Sequence, residues 1–189
     1  AEIMSVTDVF HPAPKTSFAD LARLLSDVDR NDLDQAVQLC FIAKRFKQRF
    51  FFIGNGGSAA IASHMAADWL KAGGVPAMCF NESPLMSCIA NDVGYDRVFA
   101  QPLTLHGRAG DVLFAISSSG KSKSITSAAE VAKSLRMKVI TLSWFAADNP
   151  LRAMGNVNFH VPSDRYGLVE VAHHAICHSI LDAVIEHAG

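Results

Sequence analysis

Apolar residues along the chain alternate between short continuous runs and stretches with helical spacing. The runs are typical of strands that are buried on both faces of a parallel sheet, and the first begins at Phe50. The predicted strands are 50–53, 75–80, 111–116, 138–142 and 157–161. Strands that alternate with helices predict an α/β fold, a three-layer αβα sandwich with a five-stranded parallel sheet.

The segment before this alternating core predicts helices and an irregular arm. We expect a single domain in which residues 1–16 form the arm, 17–48 form two N-terminal helices and 49–189 form the α/β core. The apolar surface of residues 33–46 is wide for a helix that contacts only one sheet. It therefore predicts helix–helix contacts between subunits.

Composition and charge argue against several classes of function. The formal net charge is −1, which gives no basic surface for nucleic acid. No apolar stretch reaches the length of a membrane span and the N-terminus lacks a signal-peptide pattern, so we expect a cytoplasmic protein without membrane contact. The four cysteines lack CxxC spacing and lie in apolar surroundings, which favours buried thiols in a reducing compartment.

The turn after the first strand predicts an anion site. Gly54-Asn55-Gly56-Gly57-Ser58 joins that strand to a helix that runs to Lys71. Glycines let the backbone approach a ligand closely, and the free N–H groups of a helix start attract anions. Gly54-x-Gly56-x-x-Ala59 also satisfies the dinucleotide fingerprint, so the turn alone does not identify the ligand.

A second anion signal, Ser117-Ser118-Ser119-Gly120-Lys121-Ser122, follows the third strand. Hydroxyls and backbone N–H groups at a helix start suit the oxygens of a phosphate. A P-loop is disfavoured because the first glycine of that motif would fall at Ala115, inside the apolar strand. A serine-rich cap without a ligand remains the alternative. Ligands of parallel sheets bind beyond the carboxyl ends of the strands, where both turns lie.

Polar residues on two apolar helices predict metal or acid–base chemistry. His64 and Asp68 share one face of the helix after the glycine turn, and Glu170, His174 and His178 share one face of the last helix. Such buried groups need a partner, a metal or a cavity. His64, Asp68, Glu170 and His178 suit a divalent metal, zinc above all, with His174 among the residues expected to orient the ligands. The same four residues can do acid–base work without a metal, and their spacing does not choose.

Together these motifs resemble the sugar isomerase (SIS) domain family over about residues 20–187. The resemblance rests on Gly-Asn-Gly-Gly-Ser after a strand, His64 at its offset, Asn91-Asp92 with Gly94-Tyr95, Ser-x-Ser-Gly-x-Ser after a strand, and the Glu/His-bearing last helix. It is greatest to the phosphoheptose isomerase branch. Members of that branch interconvert sedoheptulose 7-phosphate and D-glycero-D-manno-heptose 7-phosphate for lipopolysaccharide and other surface glycans. They are homotetramers with active sites between subunits, and several bind zinc.

The resemblance implies an aldose–ketose isomerase that works through an enediol, with Asp68, Glu170 and His178 as catalytic residues. It also implies one zinc ion per subunit. The residues predicted to bind the sugar and its phosphate are Asn55, Gly56, Gly57, Ser58, Asn91, Asp92, Ser117, Ser118, Ser119 and Ser122. The family usually has glutamate where this chain has Asp68, and commonly glutamine where it has Glu170. These departures leave open which carboxylate is the base and which phosphorylated sugar is the substrate.

Two non-catalytic functions in the same family stay open. One is a tetrameric module that binds a replication initiator protein, whose members share Gly-Asn-Gly-Gly-Ser-Ala-Ala with this chain. They lack the terminal-helix histidine and the acid at the position of Asp68, and this chain has both, which favours the enzyme. The other is a sugar-phosphate-sensing regulator, which usually carries an attached DNA-binding domain. The residues before Ser17 are too few to form one.

Overall fold

The computed structural model describes residues 18–187, which form seven helices and five strands. The predicted irregular arm, residues 1–16, lies outside the described residues. The strands are β1 (Phe50–Ile53), β2 (Ala77–Cys79), β3 (Val112–Ser117), β4 (Lys138–Ser143) and β5 (Val157–His160). The helices are α1 (Phe18–Ser26), α2 (Arg30–Arg45), α3 (Gly57–Lys71), α4 (Ser83–Asp92), α5 (Ala100–His106), α6 (Lys123–Ser134) and α7 (Tyr166–Glu186).

The five strands form one parallel sheet in the order β2-β1-β3-β4-β5, so the prediction of the fold class is confirmed. Along the chain, strands are added first on one side of β1 and then on the other. The crevice between β1 and β3 is therefore the point where the direction of strand addition reverses, which is where parallel sheets bind ligands. The glycine turn follows β1 and the serine loop follows β3, so both anion signals border this crevice.

Alternate residues of β1 face opposite sides of the sheet and belong to two separate cores. Phe50 and Phe52 pack with α1, α2, α3 and α7, whereas Phe51 and Ile53 pack with α4, α5 and α6. All four side chains are fully buried. This two-sided burial explains why the strand reads as a continuous apolar run rather than as an alternating pattern.

A buried carboxylate fixes the opposite ends of β1 and β3. Asp111 accepts hydrogen bonds from the backbone N–H of Arg49 at 2.8 Å, from its guanidinium at 2.9 Å and from the backbone N–H of Arg108 at 2.9 Å. The carboxylate has a donor for each oxygen and a cation to offset its charge, as a buried anion requires. The two strands that carry the anion turns are thus held in register.

Helix α7 is, among the helices of residues 18–187, the one long and apolar enough to cross a membrane. Its apolar residues pack instead into the core beneath the sheet, where Val169, Ala172, Ile176 and Ile180 are buried. A helix that is apolar almost all round is expected when neighbours surround it, and α7 contacts α1, α2 and α3. The sequence of α7 is therefore that of a core helix.

The four cysteines are free thiols, as predicted, although they are not all buried. Cys40 and Cys177 lie in the core, where burial raises the pKa of the Cys177 thiol to about 12 and also raises the pKa of Cys40. Cys79 is half-buried at the end of β2 and Cys88 is exposed on α4, so the expectation of burial was wrong at both positions.

Candidate active site

The glycine turn is braced by hydrogen bonds from two other segments. The side-chain amide of Asn55 donates to the Ser124 hydroxyl at 3.0 Å, and its carbonyl oxygen accepts from the Tyr95 hydroxyl at 2.8 Å. Asn55 was predicted to bind substrate, and the structure engages both ends of its amide in these braces. The turn is therefore held at the start of both α3 and α6.

The serine loop folds back on itself around Gly120. The N–H of Gly120 donates to the carbonyl oxygen of Ser117 at 3.0 Å and to the Ser117 hydroxyl at 3.2 Å. Gly120 has a φ of +61° and packs against Asn149, so a side chain here would be strained and would overlap that amide. Asn149 is 2 % exposed and donates to the Ser143 hydroxyl at 3.1 Å, which anchors the base of the loop to β4.

The two turns enclose one cavity of about 270 Å³, which has room for a phosphate group. We call it the phosphate pocket. It is lined by Asn55, Gly56, Gly57, Ser58, Ile116, Ser117, Ser118, Ser119, Ser122, Tyr166 and Glu170. Eight of the ten residues predicted to bind substrate are in this lining. Among the described residues that line it, Glu170 is the single charged side chain.

A cluster of imidazoles lies where α3 packs against α7. We call His64, His174 and His178, with Asp68, the histidine cluster. One ring nitrogen from each of the three histidines lies within 4.8 Å of the other two. The Asp68 carboxylate oxygen Oδ2 is 3.0 Å from Nε2 of His64 and 4.0 Å from Nε2 of His178.

His174 and His178 are half-buried, whereas His64 is exposed. The Nε2 of His174 is shielded from solvent and has no hydrogen-bond partner among residues 18–187. Burial lowers the pKa of His174, as do the neighbouring His178 and His64, and Asp68 opposes this shift. The neutral imidazole that results is the form that binds metals, and its Nε2 makes no hydrogen bond that would compete with a metal. The donor set of three imidazoles and one carboxylate thus fits a divalent transition metal.

His173, the neighbour of His174, shows the structural role that a helical histidine can take. It is fully buried, and its Nε2 donates to the carbonyl oxygen of Ser143 at 3.3 Å. Burial lowers the pKa of His173 to about 4. The ring therefore pins α7 to the end of β4 as a neutral group.

The structure separates some of the residues that the sequence placed together. Asp68 and His178 lie beside His64, as the ligand prediction requires, whereas the Glu170 carboxylate lies against Gly57 in the phosphate pocket. His174, which was expected only to orient ligands, takes the place beside His64 that was predicted for Glu170. Asn91 and Asp92 hydrogen-bond to each other at 2.8 Å and do not line the pocket.

Sequence reasoning missed several residues that build the site. Tyr95 and Ser124 brace Asn55, Asn149 supports the serine loop, and Tyr166 lines the phosphate pocket. Tyr95 was noted only as part of a motif. Asn149 precedes Pro150, which is a local signal for a helix cap, and its side chain does accept from the N–H of Arg152 at 3.0 Å. Its contact with Gly120 has no local signal.

Comparison with known proteins identifies the family. The sequence model of the SIS domain family matches residues 16–143. This range contains both anion turns and the α3 residues His64 and Asp68. This chain belongs to the SIS domain family. The predicted resemblance is therefore confirmed.

Several relatives of this SIS protein, at 25–33% identity, are phosphoheptose isomerases. A phosphoheptose isomerase of Sulfurimonas denitrificans is 33% identical over 161 residues, which cover 82% of each chain. The solved phosphoheptose isomerase of Neisseria gonorrhoeae is 30% identical, with a TM-score of 0.80, over 88% of this chain and 94% of that one. The solved phosphoheptose isomerase of Francisella tularensis is 25% identical, with a TM-score of 0.80. The match covers 89% of this chain and 92% of that one. The similarity extends across nearly the whole α/β core.

Proposed function

We propose that this SIS protein is a phosphoheptose isomerase. It interconverts sedoheptulose 7-phosphate and D-glycero-D-manno-heptose 7-phosphate through an enediol, in the biosynthesis of surface-glycan heptose. The relatives that share its fold over most of their length carry this activity in their names. The observation that carries the proposal is the pairing of an anion pocket with an acid–base cluster on the same two helices.

The spacing of the two parts fits a seven-carbon substrate. His64 lies seven residues beyond Gly57 on α3, which is about 10 Å along the helix axis. Eight bonds separate C1 of a heptose 7-phosphate from phosphorus, and an extended chain at about 1.2 Å per bond spans roughly 10 Å. A phosphate in the pocket would therefore bring C1 and C2 to the histidine cluster, whereas a three-carbon sugar phosphate would not reach it.

Isomerisation moves a proton between C1 and C2, so it needs a base near these carbons and a second group at the oxygens. We assign the base to the Asp68 carboxylate, because it is the one carboxylate of the histidine cluster. If the cluster works without a metal, the neighbouring His178, whose Nε2 lies 4.0 Å from Oδ2 of Asp68, would exchange protons with the substrate oxygens. The serine loop and the turn at Ser58 hold the phosphate and fix the register of the chain.

We further propose that the histidine cluster holds one zinc ion per subunit. His64, His174 and His178 would bind it with Asp68, and the unpartnered Nε2 of His174 supports this set over one that includes Glu170. When bound, the ion supplies Lewis-acid polarisation of the substrate oxygens. Metal analysis of protein that was never exposed to a nickel column tests this assignment. We expect about one zinc per chain, and less than about 0.2 would overturn it.

We also propose that the protein is a cytoplasmic homotetramer with active sites between subunits. Ile42 of α2 and Phe46, the residue that caps this helix, are 47% and 69% exposed and border an apolar groove, as a helix used in assembly would require. The histidine cluster is open as well, with His64 half exposed in the single chain. Sedimentation at micromolar concentration tests the assembly, and a monomer would contradict it.

The activity itself is tested with purified protein and a panel of phosphorylated ketoses of three to seven carbons. We expect turnover of sedoheptulose 7-phosphate, loss of activity with a chelator and recovery with zinc. Activity that ignores both chelator and zinc would overturn the metal assignment and leave the isomerase. Tight binding of the sugar phosphate without turnover would instead identify a non-catalytic module.

A further inference from the structure

Three aromatic rings form a surface that the proposed isomerisation does not use. Trp144 and Phe145 follow β4 directly, and their rings stack with centroids 3.8 Å apart. The ring of Tyr166, at the start of α7, lies nearly perpendicular to both, at 4.8 Å and 5.5 Å. We call these three residues the aromatic patch. Trp144 is buried, whereas Phe145 and Tyr166 are 47% and 57% exposed, so the patch presents two rings to solvent.

The aromatic patch adjoins the phosphate pocket. Tyr166 belongs to both, because it also lines the pocket. The backbone N–H of Trp144 donates to the carbonyl oxygen of Ser118 at 3.0 Å, and Ser118 is another residue of the lining. The patch is therefore attached to the pocket both through the serine loop and through α7.

Phe145 has a backbone conformation that a bulky residue rarely adopts. Its φ is +56°, in the left-handed region, where the β-carbon crowds the backbone. Such conformations cost free energy, and they are concentrated at binding and active sites. The stack on Trp144 orients the Phe145 ring but leaves almost half of the side chain in solvent. An exposed aromatic ring that is held in this way beside a pocket indicates a ligand contact.

The aromatic patch and the histidine cluster lie at different positions along α7. Tyr166 precedes His174 by eight residues, which is about 12 Å along the helix axis. Tyr166 lines the pocket, whereas His174 belongs to the cluster. The sugar chain of the proposed substrate runs from the pocket toward the cluster. A phosphate in the pocket can therefore carry a second kind of group, one that extends over the patch instead.

We propose that the phosphate pocket and the aromatic patch together bind nucleoside 5′-monophosphates. The phosphate occupies the pocket, and the planar base stacks on the exposed rings of Phe145 and Tyr166. Six bonds separate phosphorus from the base, which is roughly 7 Å at about 1.2 Å per bond, so the base reaches rings that border the pocket. The inference rests on the proposed function, because it takes the pocket to be the phosphate site. The nucleotide competes with the sugar phosphate and so inhibits the isomerase.

Two ligands that differ only in the base test this inference. They are adenosine 5′-monophosphate and methyl β-ribofuranoside 5-phosphate, which carries a methoxy group in place of the base and cannot open to an aldehyde. Calorimetry measures their dissociation constants. We expect the nucleotide to bind about tenfold more tightly, because a base that stacks on aromatic side chains contributes a factor of this size.

Phe145→Leu keeps an apolar side chain but removes the flat ring. We expect it to reduce the tenfold ratio to about threefold or less and to leave binding of the methyl riboside phosphate unchanged, which also shows that the pocket is intact. Phe46→Leu is the matched control. It removes an exposed ring near Lys138, at the opposite end of β4, and should keep the full ratio.

Equal affinities for the two ligands, or a ratio that Phe145→Leu does not change, would overturn the inference. Equal affinities are also the result expected if a second copy of the chain covers the rings. Failure of both ligands to bind would overturn it as well. Turnover of sedoheptulose 7-phosphate by the same samples tests the proposed function separately. If turnover is present and the nucleotide does not raise its KM, the inference fails and the proposed function stands. If turnover is absent, the proposed function fails whatever the nucleotide does.

Discussion

The phosphate pocket is built from turns at the ends of β1 and β3, whereas the histidine cluster is built from side chains on α3 and α7. In the pocket, the polar groups of Asn55 and Ser117 already have partners within the protein, and Asn149 supports the serine loop from outside the lining. In the cluster, the buried Nε2 of His174 has none among residues 18–187. The pocket is therefore preorganised by the fold, whereas the cluster keeps a buried ring nitrogen that makes no hydrogen bond within the described residues.

This difference separates the two tasks of the proposed reaction. A preorganised pocket contributes binding that is equal in the ground state and the transition state, so it mainly affects KM. Groups at the reacting carbons contribute to the transition state and mainly affect kcat. Variants in the phosphate pocket should therefore mainly change KM, and variants in the histidine cluster should mainly change kcat.

The largest expected effect is at the histidine cluster. Asp68→Asn keeps the shape of the side chain but cannot accept the proton, so we expect kcat to fall by about 1,000-fold. Steady-state kinetics with sedoheptulose 7-phosphate measures it. Asp182→Asn, an exposed position on α7, is the control and should match the wild type. A kcat for Asp68→Asn within about threefold of the wild type would remove Asp68 from the role of base.

The next effect concerns stability at the end of α7 that carries the cluster. The folded protein protonates His173 near pH 4, whereas an unfolded histidine does so near 6.5, so the unfolded state binds more protons between these values. His173 therefore costs no stability above pH 6.5 and lowers the free energy of unfolding by about 3 kcal/mol as the pH falls to 4.

Urea unfolding at pH 7 and pH 4 measures this contribution as the difference between the wild type and His173→Gln. Burial also lowers the pKa of His160 and His174, and both residues are present in the two proteins that are compared. His187→Gln, at the exposed end of α7, should keep the full pH dependence. An unchanged dependence in His173→Gln would show that this ring does not stay neutral in the fold.

At the phosphate pocket we expect a smaller effect on a different constant. The double variant Ser117→Ala/Ser119→Ala loses hydroxyl contacts to a charged phosphate, so KM should rise about 30-fold while kcat changes little. Ser134→Ala, at the exposed end of α6, is the control. A fall in kcat with an unchanged KM would place these serines at the reacting carbons. The phosphate pocket and the histidine cluster would then not have separate kinetic roles.

The smallest expected effect is on the brace of the glycine turn. Tyr95→Phe removes the hydroxyl that donates to Asn55 at 2.8 Å and keeps the ring. One neutral hydrogen bond is worth about 1 kcal/mol, so KM should rise about fivefold. If KM does not change, the turn is held without this bond, and preorganisation of the pocket rests on Ser124 and the backbone.

The sequence predicted the phosphate pocket better than the histidine cluster, for a physical reason. Phe50–Ile53, the turn that follows and Ser117–Ser122 are each contiguous, and parallel strands bring their ends together in any such sheet. The partner of His64 depends instead on where α7 crosses α3. Helical spacing puts Glu170, His174 and His178 on one face, but it does not tell which of them faces α3 at the level of His64.

Contacts between distant segments were also beyond reach of the sequence. The support of Gly120 by Asn149 joins the loops after β3 and β4, and the brace between Tyr95 and Asn55 joins residues 40 positions apart. No regular spacing along the sequence predicts which residues of two distant segments will contact each other. The five strands and the two-sided burial of β1 followed from the apolar runs alone, whereas the order of the strands in the sheet was not predicted.

The central claim is that this protein moves a proton between C1 and C2 of a phosphorylated ketose. Incubation with sedoheptulose 7-phosphate in D2O, followed by proton and deuterium NMR, tests it most directly. The account predicts a heptose 7-phosphate aldose that carries deuterium at C2, because the base exchanges its proton with solvent during the enediol step. No aldose and no deuterium at C1 or C2, from protein that is supplied with zinc and binds the sugar phosphate, would contradict it.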